Sequence, residues 1–170
     1  MERPGDALLA AALFPAMLQG EPLEIAATLP VSPRLLEGVK TIQNVFSFWY
    51  PMLRKIEIHA QVEKGKQPDP GVGSFFSAGV DSSYTLLHRA DEITHLVFIR
   101  GVENKSLTDD TVFQKALASN ERIAEWYKMT LVPVESNVKL FGHAFNALEW
   151  NIYHGAGLGS IALALGFRKV

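Results

Sequence analysis

Between Leu35 and Phe46 the apolar positions Leu35, Leu36, Val39, Ile42, Val45 and Phe46 fall on a stripe of period 3.6, which predicts a helix with one buried face. Ser32-Pro33 opens it, the serine as N-cap and the proline at the first helical position, and the helix stops before Pro51. The period then changes to two. From Arg54 to Val62, Ile56, Ile58, Ala60 and Val62 alternate with Lys55, Glu57, His59 and Gln61, as in a half-exposed strand. Glu63 to Gly73 reads as a loop. Val72 to Phe76 is a short apolar run that leads into a helix through Leu86 and Leu87, and His95 to Ile99 is a second buried strand. Thr111 to Lys128 carries Val112, Phe113, Ala116, Ile123, Ala124 and Tyr127 at helical spacing, and Leu131 to Val134 is a third strand. Helical segments follow around Phe141 to Tyr153 and Gly155 to Leu165. Phe167 to Val170 begins a fourth strand.

Strands alternating with helices predict an α/β fold: a parallel sheet with helices on both faces. The first 35 residues hold Pro4, Pro15, Pro22, Pro30 and Pro33, a density that breaks up regular structure and predicts an irregular arm. The expected organisation is an arm and helix over residues 1–53, then an α/β domain over 54–170.

Composition narrows the chemistry. At 170 residues the chain buries roughly 70% of its unfolded surface and needs no staple. It has no cysteine, which excludes disulfides, thiolate metal sites and cysteine nucleophiles. Sixteen Lys and Arg against 18 Asp and Glu give a net charge of −2, so a strongly basic nucleic-acid binder is excluded. The apolar stretch Ala7 to Leu18 is broken by Pro15 and is shorter than the about 18–20 residues that span a bilayer, so no membrane partner is expected. It reads as a short amphipathic arm. Without cysteine or an export signal, the cytoplasm is the default compartment.

Ser77-Ala78-Gly79-Val80-Asp81-Ser82-Ser83 lies where the Val72–Phe76 run turns into a helix. In an open parallel sheet, ligands collect outside the carboxyl ends of the strands. Small residues let backbone N–H groups approach an anion, and the helix that follows adds roughly half a positive charge at its N-terminus. Ser77, Ser82 and Ser83 add hydroxyl donors. The pattern asks for phosphate. A carboxylate repels phosphate, so Asp81 fits as the holder of a magnesium ion shared with the phosphates, or as a helix cap. The plainer alternative is a turn that only caps the helix, through Asp81 or Ser82.

This segment resembles the SGGxDS loop of the PP-loop ATP pyrophosphatases, a superfamily that includes GMP, NAD and asparagine synthetases and several tRNA-modifying enzymes. The resemblance covers roughly Val72 to Val170. It implies an adenine nucleotide α-hydrolase-like fold. It also implies cleavage of ATP between the α and β phosphates, with magnesium, and adenylation of an oxygen on a small-molecule substrate. Ser77, Ala78, Gly79, Val80, Ser82 and Ser83 would hold phosphate and Asp81 the metal. The backbone of Val97, Phe98 and Ile99 would read the adenine edge. Trp150 to Ser160, with Gly155, Gly157 and Gly159, resembles the downstream His-Gly segment of several members, which would set His154 and Gly155 by the ribose and α-phosphate. From the residues alone, these glycines serve either a ligand or close helix packing. The superfamily usually has glycine where this chain has Ala78. If that position requires positive φ, alanine costs about 1–2 kcal/mol.

Two other readings stand beside adenylation. One is a non-catalytic nucleotide-binding module, suggested by Ala78. The other is a tRNA-modifying enzyme, against which the near-neutral charge counts. Arg100 is a candidate for phosphate or substrate, and Glu103 and Glu135 follow strand ends where they can approach magnesium. Asp109-Asp110 suit the start of a helix. The strand begun at Phe167 ends with the chain, which reads as a fragment of a longer protein or as an edge covered by a second copy.

Overall fold

The computed structural model describes residues 4–63, 69–102, 110–145 and 148–170. Glu103 and Asp109 lie outside them. The chain divides into two compact units. One is Met1–Gln67 with Val138–Gly166; the other is Pro68–Asn137 with Phe167–Val170. The division does not follow the expected boundary at residues 53 and 54: the first unit takes in the 54–62 segment and returns for the late helices.

The second unit is the expected parallel sheet, but its two crossover helices pack on one face of it rather than on both. Its strands are β3 (Asp69–Phe75), β4 (His95–Arg100), β5 (Thr130–Glu135) and β6 (Phe167–Lys169), in the order β5-β4-β3-β6, all parallel; β1 (Leu23–Glu24) and β2 (Ile58–His59) belong to the first unit. Parallel neighbours need crossovers rather than hairpins. α3 (Val80–Arg89) carries the chain from β3 to β4, and α4 (Asp110–Tyr127) from β4 to β5. Leu86 of α3 and Ala124 of α4 pack with Phe76, Ile93 and Leu96 in one apolar cluster. Phe98, on the same face of β4 as Leu96, stacks on Phe113 of α4 with ring centroids 5.3 Å apart. Val97 and Ile99 on the opposite face are buried as well, which is why β4 reads as a continuous apolar run.

In the first unit, the expected irregular arm is instead a helix, α1 (Pro4–Gln19). Pro4 stands at its first position, where its missing N–H is no loss. Pro15 lies inside and removes one backbone bond, at about 3 kcal/mol. Burial outweighs that: Leu9, Leu13, Phe14 and Met17 are at most 2% exposed, and Pro15 is buried with them. The rest of the segment is mostly alanine and leucine, strong helix formers. Nor is the helix amphipathic. Apolar all round, it belongs in a core.

β1 (Leu23–Glu24) pairs in parallel with β2 (Ile58–His59), and between them runs α2 (Pro33–Trp49). Ser32 caps α2 as expected, its Oγ accepting from Leu35 N at 3.3 Å. Asp6 in the first turn of α1 is 1% exposed, and its Oδ1 accepts from Ser32 N at 2.7 Å. One buried carboxylate thus ties the start of α1 to the cap of α2. The alternation from Arg54 is real, with Ile56, Ile58 and Ala60 packed on the core, but Val62 is 57% exposed and the regular strand is short.

α5 (Val138–His143) and α6 (Trp150–Leu165) complete the unit. The two late helices were expected to meet near Tyr153; α6 instead runs unbroken through Tyr153, His154 and Gly155. Tyr153 is 1% exposed, and its hydroxyl donates to Lys139 O at 2.7 Å. Gly142 makes room for it: a Cβ there would lie 2.1 Å from the Tyr153 ring.

Burial pushes the Tyr153 phenol above its ordinary value near 10, against a smaller lowering by a backbone hydrogen bond from Gly142. The unfolded chain therefore releases this proton at lower pH than the folded one. The stability that Tyr153 confers is whole below pH about 10 and falls as pH rises beyond it. Tyr153→Phe is expected to lose about 1 kcal/mol at neutral pH, because a buried carbonyl loses its donor. Above pH 10 the variant should lose less stability than the parent. Urea denaturation of both proteins from pH 7 to 11 measures the two effects.

Candidate functional site

β3 is an inner strand, and the chain leaves its carboxyl end through four small steps. Phe76 is buried and donates its N–H to Val97 O at 2.9 Å, which holds the exit against β4. Ser77 N donates to Ser82 Oγ at 3.4 Å, and Gly79 N to Ser77 Oγ at 3.4 Å. Ala78 has φ 59°, in the left-handed region. Gly79 is the N-cap of α3, with extended backbone.

No side chain caps α3. Neither Asp81 nor Ser82 is the cap that the plainer alternative required: both lie inside the first turn, and the Ser82 hydroxyl donates back to Gly79 O at 3.1 Å. The first helical turn therefore presents N–H groups with no side-chain acceptor. Ser77, Ala78, Gly79, Val80 and Asp81 are exposed; Ser82 and Ser83 are half-buried. The result is an open run of backbone donors at a helix N-terminus, suited to an anion, with the Ser82 hydroxyl already committed to Gly79 O. Asp81 stands in it as one exposed carboxylate. Magnesium is commonly held by one or two carboxylates together with substrate phosphates and water, and this donor set fits that mode. Among the described residues, no cluster of three or more His, Asp or Glu side chains offers an all-protein metal site.

β4 runs past β3 at this end. The last β3 partner is Phe75, opposite Val97, whereas the β5 ladder continues through Phe98, Ile99 and Arg100. Val97 C=O points to β3, and alternation turns the peptide groups of Ile99 to the same side, beyond the end of β3. Val97, Phe98 and Ile99 thus combine core side chains with a backbone edge next to the loop. Gly101, with φ 104°, then takes the chain out of the sheet. Arg100 is already engaged: its guanidinium pairs with Asp110 at the start of α4 and lies 4.9 Å from the Phe113 ring centre. Glu135 ends β5 with its side chain exposed.

His154 and Gly155 belong to the first unit, on α6. His154 Nδ1 lies 3.1 Å from Asn151 O, and both residues edge a cavity of about 500 Å³ between α1, α2 and α6. The surroundings are apolar, with no lysine or arginine in the lining. Sequence reasoning did not find this cavity. Its signal was there, in an α2 stripe wider than one neighbour covers and in glycines spaced one helical turn apart.

The chain matches no family model, no curated protein and no solved structure.

A left-handed alanine is strained by about 1–2 kcal/mol, and glycine relieves it while adding about 0.4–1 kcal/mol of unfolded-chain entropy. Ala78→Gly is therefore expected to stabilise the fold by up to about 1.5 kcal/mol. Thermal and urea melts check the gain. A variant less stable than the parent would show that the methyl group makes contacts worth more than the strain.

Proposed function

We propose that the chain binds ATP through the Ser77–Ser83 loop and uses it to adenylate an oxygen of a small-molecule substrate, releasing pyrophosphate. The observation that carries the reading is the uncapped N-terminus of α3, set behind a left-handed residue at the carboxyl end of an inner parallel strand. The likeness of Ser77-Ala78-Gly79-Val80-Asp81-Ser82 to the loop of the PP-loop ATP pyrophosphatases, with their adenine nucleotide α-hydrolase-like fold, supports the same conclusion.

In this reading the N–H groups of the first turn and the hydroxyls of Ser77 and Ser83 bind the β and γ phosphates. They stabilise the charge that gathers on pyrophosphate as the bond to the α-phosphate breaks. The peptide edge of Ile99, past the end of β3, takes the adenine. Asp81 orients magnesium, which supplies further charge neutralisation when bound. A non-catalytic nucleotide-binding module is the second reading, and the left-handed Ala78 favours it. A methyl group stands there beside the run of donors, where the superfamily usually has none.

ATP is expected to bind more tightly than GTP, and its affinity to rise with magnesium. Asp81→Asn keeps the size of the side chain and removes the charge, so it should weaken magnesium-dependent binding by about tenfold and not weaken metal-free binding, where the charge only repels phosphate; tenfold is about 1.4 kcal/mol. Calorimetric titrations of both proteins with each nucleotide, with and without magnesium, read this directly. Equal affinity for the two nucleotides removes β4 from the site. An equal fall with and without metal reduces Asp81 to a structural role. Release of AMP and pyrophosphate in the presence of a metabolite pool separates the enzyme from the silent module.

A further inference from the structure

The cavity lies within the first unit and opens to solvent at Trp49, Asn151 and His154. We propose that it is a binding site for an uncharged small molecule with an aromatic or acyl body and one hydroxyl or N–H donor at its end. Its volume of about 500 Å³ lies within the range of ligand pockets. An apolar cavity of about 150 Å³ takes benzene, so this one takes a body of about three such rings.

The lining excludes charge. Leu13 and Phe14 of α1 face Val39 and Phe46 of α2, and none of the lining residues is an acid, lysine or arginine. An ionic ligand would lose its hydration there and gain no counter-charge. The walls are also held in place. Phe46 meets Phe14 edge-on at 4.7 Å and stacks near Tyr50 at 6.1 Å, so the pocket is formed before any ligand enters.

Two glycines of α6, the exposed Gly155 at the rim and the half-buried Gly159, lie along one wall. In a helix interior, glycine lowers stability by about 1 kcal/mol relative to alanine. Gly157 has a packing reason, since a Cβ there would lie 2.8 Å from the Trp150 ring. Gly155 and Gly159 have none. Both line the cavity, a Cβ at either would meet nothing within 4 Å, and neither has positive φ. Two destabilising residues one turn apart keep space clear that the chain itself does not fill. A ligand lying against the bare α6 backbone accounts for both. His154, exposed at the rim, supplies the polar end. Its Nδ1 faces the Asn151 carbonyl, which can only accept, so Nδ1 carries the proton and Nε2 is the ring's acceptor. The matching ligand end is a donor.

N-phenyl-1-naphthylamine, uncharged and carrying one N–H, is the probe. Titrated into the full chain and followed by its fluorescence, it should bind saturably at one site per chain. Gly155→Leu and Gly159→Leu each place a side chain in the cavity and should weaken binding at least tenfold, with circular dichroism melts no lower than the parent's. His154→Phe should weaken this probe about fivefold and leave 1-benzylnaphthalene, in which a methylene replaces the N–H, unaffected. The absence of saturable binding overturns the proposal, as does binding that survives both leucine substitutions. If both leucine variants unfold, the space was not open and the proposal falls; if one folds, its titration decides. A chain that ignores the probe but dimerises in light scattering, and loses the dimer with Gly159→Leu, assigns the groove to a second copy instead. Equal losses of both probes in His154→Phe overturn the donor end.

Discussion

Parallel pairing is the constraint from which the rest of this chain follows. Every ladder among the described residues is parallel, including the two-residue β1–β2 pair and the Val31–Val62 bridge. No strand can reach its neighbour by a tight turn, so each must be followed by a crossover. The loops that leave β3, β4 and β5 therefore gather at one end of the sheet. The chemistry proposed for the Ser77–Ser83 segment depends on that placement, because a tight turn between antiparallel strands would set no helix N-terminus behind these seven residues.

Much of this was legible because local rules and tertiary structure agree. Ser32-Pro33 announces α2 and caps it; the alternation from Ile56 to Ala60 is the pattern of one buried side; His95 to Ile99 reads as a strand covered on both faces and is one. Reading failed where burial overrides propensity. Pro15 marks a helix end on local grounds, yet Leu9, Leu13 and Met17 bury enough surface around it to hold α1 together. Gly155 to Gly159 suggested a break before a helix, and the helix passes through them. No local pattern announces that a glycine faces Trp150 or an open cavity, because that depends on which helices arrive alongside.

The candidate loop shows the same division. Its position after a buried strand was readable from hydrophobic runs. The left-handed backbone at Ala78 was foreseeable only as a condition on the resemblance, since alanine itself argues against it. The absence of a cap could not be read at all: aspartate and serine at the start of a helix are good caps in general, and here the cap position falls on Gly79, two residues before Asp81 and three before Ser82.

The discontinuity of the first unit has a consequence for the order in which the protein can be made. α1 leaves the ribosome long before its main packing partner, α6. At about 5–20 residues per second, the delay is on the order of 10 s. Throughout it, a helix-forming segment apolar on all sides has no lasting cover. Aspartate at residue 6 keeps one charge at its leading end, and α2, synthesised next, supplies a first docking surface through the Ser32 amide. α1 is therefore the helix that waits longest for its cover, although in the finished fold it is the most deeply sheltered helix of its unit.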